Sequence, residues 1–331
     1  MIRTMTVQMG IGLLLLLIPC LAFSETHKFV PQKGYPTFAR RPPVFRVKPG
    51  DVLVTSTLWG EWYEKAGGSW PGEVGPIEIE GTTPNDTLVV KILKLTPNHN
   101  TAVSTHRPGF SALTVDKFTP MLNDPVAPQR YVWKLDLDRM TGTLALPNSR
   151  MKSVTVPLAP MLGRVATAPR GEESWDALYP GEFGGNMDVP DIKEGATVYL
   201  PIFHDGALFY YGDGHALQGD GEVCGSGLET AMDVTFQFDL IKNKKIQWPR
   251  IETSEFIMAT GSVRPLMDAF RIAHVELILW LVDEYGFDKW EALQLVSQIG
   301  SARVGNVVDP NYTVVAKFPK RHLPAPRLYQ K

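Results

Sequence analysis

The chain has 331 residues, of which 44% are hydrophobic and 21% are charged, and its formal net charge is −2. This length and composition are ordinary for a globular protein with a sizeable core, organised as one large domain or as two closely joined ones. Because no block of basic residues occurs, we expect no nucleic-acid partner.

The first 24 residues have the pattern of a secretory signal peptide. Arg3 supplies a positive charge, and the apolar run over residues 11–18 is too short to anchor the chain in a bilayer. Ala22 and Ser24 place small residues at the −3 and −1 positions of a cleavage site. We therefore predict cleavage after Ser24 and export to the periplasm or the medium. No later stretch is long and apolar enough to anchor the mature protein in a membrane.

The two cysteines of the chain are Cys20 and Cys224. A lipid on Cys20 is an alternative to cleavage after Ser24, but the preceding Pro19 fits a lipoprotein signal poorly. Loss of Cys20 with the signal leaves Cys224 unable to form an intramolecular disulfide. We interpret Cys224 as a small buried residue, because a buried free cysteine usually behaves as a hydrophobe, with a thiol nucleophile as the alternative.

The body of the chain is rich in strand patterns, such as the alternation of apolar and acidic residues over 77–80. An aromatic loop containing Trp59, Trp62 and Trp70 interrupts these strands. Such loops either pack on a sheet edge or form a binding surface, and we favour packing. Residues 25–42 are interpreted as an N-terminal extension, 43–320 as the main domain and 321–331 as a loose tail.

Two helices are predicted near the C-terminus. Apolar residues recur at helical spacing from Leu266 to Leu281, ahead of a stop at Gly286. Asp288 then caps a second helix that runs to Gly300. Together with the strand patterns, these helices predict a mainly β (α+β) fold with peripheral helices.

Acidic residues and a histidine alternate with glycines in the central stretch, residues 204–229. Asp213, His215, Asp220 and Glu222 are two apart in pairs, and side chains two apart lie on the same side of an extended strand. The apolar run over 206–211 is predicted to be the strand that leads into them. Mixtures of Asp, Glu and His bind divalent ions, so a metal or catalytic site is favoured over ordinary Asp-Gly turns.

A second glycine-rich loop covers residues 183–188, and together with the central stretch it carries a family resemblance. Residues 212–225 resemble the signature of the acetamidase/formamidase family, residues 184–188 resemble its second motif, and residues 157–169 resemble the loop ahead of that motif. Pro108, Gly109 and Phe110 and the paired C-terminal helices follow the same order. The resemblance covers residues 43–320, and it implies β sheets arranged as a sandwich with helices outside.

The resemblance also implies hydrolysis of a small linear amide to a carboxylate and ammonia with a divalent metal, most simply zinc, with calcium as the other choice. A metal held by His215 and Asp213 would polarise the carbonyl and lower the pKa of water. Glu222 is the preferred base, with Asp220 as a ligand or an orienting residue. Asn186 would hold the carbonyl or the amide, and other substrate contacts are expected from Asp188, Gly185 and Gly219.

One departure from the family pattern concerns the aromatic loop. Family members commonly carry an acidic residue near the site in this segment, and here we expect only Glu61 or Glu64 to replace it.

Two other functions remain open at this level. An exported binding protein would hold a structural Ca²⁺ in the acidic loops and a glycan on the tryptophans, with every metal position closed by protein groups. A cysteine amidase would use Cys224 with His215 as its base. For the amidase we expect a small-molecule amide as the substrate and a homo-oligomer in solution.

Overall fold

The fold was obtained as a computed structural model, which describes residues 24–106, 109–113 and 127–326. Residues 1–23 of the predicted signal peptide, including Cys20, lie outside the described residues. The same holds for Pro108 of the resemblance and for residues 327–331 of the predicted tail.

Most of the described chain forms β strands. The first ten are, in chain order, β1 (Thr26–Lys28), β2 (Thr37–Ala39), β3 (Phe45–Val47), β4 (Val52–Ser56), β5 (Val74–Ile79), β6 (Thr87–Pro97), β7 (Thr101–His106), β8 (Gln129–Asp136), β9 (Thr141–Leu146) and β10 (Lys152–Pro157). The strands that follow are β11 (Met161–Ala166), β12 (Ser174–Asp176), β13 (Pro180–Gly181), β14 (Gly184–Asn186), β15 (Thr197–Pro201), β16 (Phe209–His215), β17 (Met232–Ile241), β18 (Arg250–Glu252), β19 (Phe256–Val263), β20 (Ser301–Asn306) and β21 (Tyr312–Pro319).

The helices of the described residues are α1 (Glu61–Glu64), α2 (Leu266–Tyr285) and α3 (Lys289–Ile299), with a 3₁₀ turn at Lys320–His322. Gly286 ends α2 in the left-handed conformation, with φ 77°. The Asp288 carboxylate caps α3 by accepting hydrogen bonds from the backbone N–H groups of Trp290 and Glu291. Both predicted helices near the C-terminus are confirmed.

Two large sheets form the body of the protein. The nine-stranded sheet has the order β1-β4-β17-β6-β15-β18-β19-β21-β20, and the six-stranded sheet has the order β13-β14-β11-β16-β5-β3. Rings from the two sheets meet in the main core: the Phe209 and Phe236 ring centroids are 5.5 Å apart, and those of Tyr211 and Phe236 are 5.0 Å apart. Smaller sheets, β10-β9-β8-β7 and β12-β2, flank this sandwich.

Helix α2 covers the outer face of the nine-stranded sheet. Along β19, Met258 belongs to the core between the sheets, whereas Ile257 and Ala259 pack with Ala273 and Leu277 of α2. This alternation follows from the two-residue period of a strand. The predicted mainly β fold with sandwiched sheets and peripheral helices is confirmed.

The segment at residues 25–42 pairs with the body of the protein. Strand β1 runs parallel to β4, and β2 pairs antiparallel with β12. No helix in the described ranges is long and apolar enough to cross a membrane.

Candidate active site

The candidate site begins at the end of β16, a fully buried strand between β11 and β5. Asp213 and His215 lie two apart on this strand, and His215 Nε2 is 3.4 Å from Asp213 Oδ1. The prediction that these two side chains lie on the same side is therefore confirmed. The strand itself starts at Phe209, because Gly206, Ala207 and Leu208 form a turn with positive φ angles.

The second predicted pair, Asp220 and Glu222, does not lie on one side. The chain turns between them, since Gly221 has φ 84°, Glu222 has φ 47°, and the Glu222 N–H donates to the Gly219 carbonyl at 3.2 Å. Glu222 is buried, whereas Asp220 is 53% exposed and pairs with Arg303 at 2.7 Å. The assignment of Asp220 as a catalytic residue is therefore not supported, because its carboxylate points away from the other acids.

Four more buried carboxyl groups join Asp213 and Glu222. We call the whole set the site cluster: its acids are Glu73, Asp188, Asp213, Glu222, Glu229 and Asp309, and its bases are Arg164 and His215. All of these residues are at most 7% exposed. Asp188, Asp213 and Glu222 also have positive φ angles of 49°, 57° and 47°. Such backbone strain in non-glycine residues is concentrated at functional sites.

Glycines in the six-stranded sheet make room for the site cluster. A Cβ atom at Gly212 would collide with the carboxylate of Glu73, and one at Gly163 would collide with those of Asp188 and Asp213. Each glycine therefore permits a close approach of carboxylates to the backbone that a side chain would block.

Arg164 connects the acids on the two sides of β11. Its Nη1 donates to Glu73 Oε1 at 2.6 Å, its Nε lies 3.4 Å from Asp213 Oδ2, and the same Nε donates to Asn186 Oδ1. The Asn186 Nδ2 donates in turn to Asp309 Oδ2 at 2.5 Å. Both polar atoms of Asn186 are thus engaged within the site, which favours a positioning role over the predicted direct hold on a substrate.

Gln218 fixes the protonation of His215. The Gln218 Nε2 donates to the backbone carbonyls of Asp188 and Gly305 at 2.7 and 3.0 Å, so its Oε1 faces His215 Nδ1 at 2.9 Å. His215 Nδ1 must then carry the hydrogen, which leaves the neutral ring with a bare lone pair on Nε2. Metal-binding histidines are commonly oriented in this way through their other nitrogen.

The Nε2 atom of His215 faces two carboxylate oxygens. Nε2 lies 3.1 Å from Glu229 Oε2 and 3.4 Å from Asp213 Oδ1, but it makes no hydrogen bond with good geometry. Burial lowers the pKa of His215, but the negative charges of Glu229 and Asp213 outweigh burial and raise the pKa well above its usual value. A proton or another cation is therefore needed at this position.

Burial raises the pKa of most acids in the site cluster. It raises the pKa of Glu73 and of Asp188 to about 7, with the charge of Asp213 adding to the effect in both. Burial and the charge of Asp188 raise the pKa of Glu222 and of Asp309 well above the usual range. These carboxyl groups repel one another when ionised, which a positive charge among them would relieve.

Asp213 is the exception among these acids. Burial raises its pKa, but the charges of Arg164 and His215 outweigh burial and hold the pKa of Asp213 below its usual value. It therefore remains an ionised carboxylate, as a metal ligand requires.

The donor atoms of the site cluster suit a divalent cation. Among the described residues, three groups hold ligand atoms within 4.8 Å of one another: Asp188, Asp213 and His215; His215, Glu222 and Glu229; and Asp188, Glu222 and Asp309. Several buried atoms here have no hydrogen-bond partner, namely Glu73 Oε2, Asp188 Oδ1, His215 Nε2, Glu229 Oε2, Asn306 Oδ1 and Asp309 Oδ1. Buried polar atoms are normally paired, and a cation held by these donors would supply the missing partners.

A cavity of about 410 Å³ opens onto the site cluster. Its polar end is lined by Arg164, Asn186, Asp213, Glu222, Glu229 and Asp309. Asp188 and His215 are fully buried behind this surface. The cavity therefore gives a small molecule access to Glu222 and to one side of the predicted ligands.

Other predicted site residues lie away from the cavity. Gly185 is buried in the pairing of β14 with β11 and β13, and Gly219 is exposed on the turn before Glu222, so neither lines the cavity as a substrate contact. Asp188 lies among the metal-donor groups rather than at the cavity surface. Cys224 was expected to be buried but is exposed, because the turn that buries Glu222 directs the next two residues outward.

Glu73 is the acid that links the aromatic loop to the site cluster. Glu61 pairs with Lys65 at 2.9 Å and Glu64 accepts from Trp59 Nε1 at 2.9 Å, both on exposed side chains. Neither belongs to the site cluster, so both candidates are wrong on geometric grounds. Glu73 is fully buried and bonds to Trp70 and Arg164.

The sequence predictions missed Glu73, Arg164, Glu229 and Asp309. One signal was present for Arg164: it is the single charge in the otherwise apolar strand β11, and a buried charge needs a partner. Glu229 is the last residue of the central stretch and reaches His215 through a β-bridge. For Glu73 and Asp309 only the tertiary fold reveals the contact.

Comparisons with known proteins identify the family of this chain. The acetamidase/formamidase family matches this chain over residues 171–322. The crystal structure of an acetamidase from Yersinia enterocolitica is 37% identical, covers 89% of this chain and 92% of its own, and superposes with a TM-score of 0.82. This chain belongs to the acetamidase/formamidase family.

Family members known from sequence align over shorter regions. An acetamidase of Mycolicibacterium smegmatis is 27% identical over 244 residues, and the match covers 58% of that protein. A putative formamidase of Schizosaccharomyces pombe is 25% identical over 212 residues, and the match covers 51% of that protein. This chain thus spans little more than half the length of these two family members.

Proposed function

We propose that this protein is an amidohydrolase that cleaves the C–N bond of a small amide, giving a carboxylate and ammonia. The observation that carries the proposal is the convergence of unpartnered buried donor atoms beneath a cavity into which Glu222 points. Relatives named acetamidase and formamidase match the chain in sequence, and the acetamidase from Yersinia enterocolitica has a similar fold, which supports the same class of reaction.

A divalent cation is part of this proposal. The donor group that contains both predicted ligands is Asp188, Asp213 and His215, with a free imidazole nitrogen and two carboxylates. This mixture favours zinc over calcium, because calcium takes oxygen ligands only. When bound, the cation would supply Lewis acidity toward the carbonyl oxygen of the amide.

Glu222 is the proposed general base and acid. It lines the cavity, and its pKa is raised well above the usual value of a carboxyl group by burial and by the charge of Asp188. A carboxylate with a raised pKa accepts a proton from water more readily and can return it to the leaving nitrogen. This proton transfer contributes roughly 10²- to 10⁴-fold in rate.

Arg164 positions the groups at the other wall of the cavity. Burial opposes its charge, but Asp213 and Glu73 keep the guanidinium protonated by raising its pKa. Its fixed positive charge at the cavity surface can stabilise negative charge that develops on the carbonyl oxygen. The hydrogen bond from Arg164 to Asn186 extends this fixed arrangement to Asp309.

Export remains part of the proposed function. The signal pattern over residues 1–24 supports action on amides outside the cytoplasm. N-terminal sequencing of the purified protein tests this, with Glu25 as the expected first residue.

Ammonia release from formamide and acetamide tests the proposed activity. The metal-replete protein is expected to release ammonia, the chelator-treated protein is expected to be inactive, and added Zn²⁺ is expected to restore activity. His215→Ala should lose both metal and activity, whereas the control Asp220→Asn, in the same loop but outside the cluster, should keep both. Activity that survives in His215→Ala would contradict the proposed site.

A further inference from the structure

The outer part of the cavity is mainly apolar and aromatic, in contrast to its polar end. Its walls include Trp62, Trp70, Phe110, Leu178 and Pro36, with the exposed Asp176 as the one charged lining residue outside the polar end. Aromatic side chains provide large, rigid apolar contact surfaces for a ligand. The cavity thus has two chemically different ends, one for a reacting amide and one for an apolar group.

Trp70 contacts the site cluster directly, and Trp62 packs against Trp70. Trp70 Nε1 donates to Glu73 Oε1 at 2.8 Å, and the guanidinium of Arg164 lies 4.9 Å from the Trp70 ring centroid. The Trp62 ring meets Trp70 edge-on, with centroids 5.3 Å apart. Trp62 and Trp70 are only half-buried, which leaves ring surface available within the cavity.

The cavity is much larger than acetamide. At about 30 Å³ for each water-sized group, a volume of 410 Å³ has room for about fourteen such groups. Acetamide has about four non-hydrogen atoms and would leave the aromatic wall in contact with water. A cavity of this size instead suits a ligand with a ring or an equally large apolar substituent.

The charges at the cavity select against an anionic substituent. Arg164 is the only basic residue among the described lining residues, and it is engaged by Glu73, Asn186 and Asp213. The polar end otherwise presents acids, which would repel a second carboxylate on the ligand. An anionic substituent is therefore disfavoured, and the mainly apolar outer walls favour an uncharged group over a charged one, which would lose its hydration there.

We propose that the substrate is a primary amide whose acyl part carries a neutral aromatic group bound against Trp62, Trp70 and Phe110. The inference rests on the proposed amidohydrolase function and names its substrate class. In the reaction the C–N bond breaks, a C–O bond to the oxygen of water forms, and the nitrogen leaves as ammonia with the proton that Glu222 transfers. No electron acceptor or donor is required.

Kinetics on matched amides provide the first test. We expect kcat/KM for benzamide or phenylacetamide to exceed that for acetamide by about 10- to 100-fold, from burial of the aromatic ring. Trp62→Ala should lower this ratio about 10-fold or more, and Trp62→Phe should restore most of it. The control Trp290→Ala removes a tryptophan that is 65% exposed on α3, far from the lining residues, and should leave the ratio unchanged.

Equilibrium binding separates this inference from the proposed function. Acetophenone and acetone mimic benzamide and acetamide but cannot be hydrolysed, because a methyl group replaces the amide nitrogen. The metal-replete wild-type protein should bind acetophenone at least about 10-fold more tightly than acetone by isothermal titration, with the preference lost in Trp62→Ala. Preferential binding without hydrolysis of any amide would overturn the proposed function alone. Hydrolysis of acetamide with equal or greater efficiency than the aromatic amides, together with equal binding of the two ketones, would overturn the aromatic substrate class alone.

Discussion

Two buried groups of charged residues in this protein differ in how completely their charges are paired. The first is the site cluster. The second, which we call the α2 cluster, consists of Arg250 on β18, Glu276 and Glu284 on α2, and Lys244 in the turn before β18. The α2 cluster lies where α2 packs on the nine-stranded sheet, whereas the site cluster includes residues of β11 and β16 in the six-stranded sheet.

The α2 cluster is internally complete. Glu276 Oε1 accepts from Arg250 Nε at 2.8 Å and from Nη2 at 2.7 Å, and Arg250 Nη1 lies 3.5 Å from Glu284, which also pairs with Lys244. Two acids meet two bases, and none of their atoms is among the buried atoms without a partner in the described ranges. Such a cluster contributes to folding and requires no ligand.

In the site cluster, by contrast, the charges and hydrogen bonds are not fully paired. Within the described part of the chain, its six acids are accompanied by two bases, Arg164 and His215, and several of its oxygens have no hydrogen-bond partner. Incomplete pairing costs stability when the acids ionise, because like charges repel in a buried setting. The difference supports a stabilising role for the α2 cluster and the proposal that the site cluster binds a cation and a substrate.

The largest expected effect distinguishes Glu222 from Asp220, which were predicted as a pair in the central stretch. Glu222→Gln should lower kcat for amide hydrolysis by roughly 10²- to 10⁴-fold, because the amide keeps the shape of the side chain but cannot accept a proton. Zinc content should be unchanged, as measured by elemental analysis. Asp220→Asn should leave kcat within about 3-fold. Loss of zinc in Glu222→Gln would make Glu222 a ligand and contradict its assignment as the base.

The α2 cluster provides the largest expected change in stability. Glu276→Ala leaves the buried Arg250 with a weaker partner and should lower the free energy of unfolding by about 3–5 kcal/mol. Asp268→Ala, on the same helix in an exposed pair with Arg271, should change it by less than about 1 kcal/mol. Urea denaturation measures both, and equal effects would remove the distinction between buried and exposed pairs on α2.

Neutralising an acid of the site cluster should raise the free energy of unfolding, whereas removing Glu276 from the α2 cluster should lower it. Asp309→Asn in chelator-treated protein should raise the free energy of unfolding at about pH 8 by about 1–2 kcal/mol, because it removes one of several mutually repelling carboxylates. The gain should shrink toward about pH 5. At about pH 5 Asp309 stays protonated in the folded protein, because its pKa is raised. The stability that is lost through its ionisation is therefore lost only as the pH rises further. Destabilisation of the chelated protein at pH 8 would contradict incomplete pairing.

The smallest expected effect concerns the exposed thiol. Cys224→Ala should change kcat/KM for amide hydrolysis by less than about 3-fold, since Cys224 is exposed and, among the described residues, its Sγ hydrogen-bonds only with Ser226. Ammonia release from the variant measures this. Total loss of turnover in folded, zinc-containing protein would support a thiol nucleophile instead.

The sequence predicted the parts of the site that depend on local geometry. Asp213 and His215 lie two apart on β16 and come together as predicted, although Asp213 itself has φ 57° and the strand begins at Phe209, three residues later than the apolar run indicated. The same rule failed for Asp220 and Glu222, because positive φ angles at Gly221 and Glu222 replace the strand by a turn. Glycines permit both conformations, so their presence alone could not distinguish them.

The contacts that complete the site depend on sheet topology. Glu73 reaches the cluster because β5 pairs with β16, and Asn186 reaches Arg164 because β14 pairs with β11. Antiparallel neighbours that are distant in sequence cannot be assigned from periodicity, which reports only which side of a strand a residue lies on. The general fold class was predictable because it depends on patterns within each element.

Titration of Zn²⁺ into chelator-treated protein is the most direct measurement of whether the site cluster holds a cation. Isothermal titration calorimetry on wild-type protein should show a saturable site on each chain. His215→Ala should lose that site and Asp220→Asn should retain it. Binding by wild-type and His215→Ala protein with the same affinity and stoichiometry, or no binding by the wild type, would contradict the assignment of the site cluster as a metal-dependent active site.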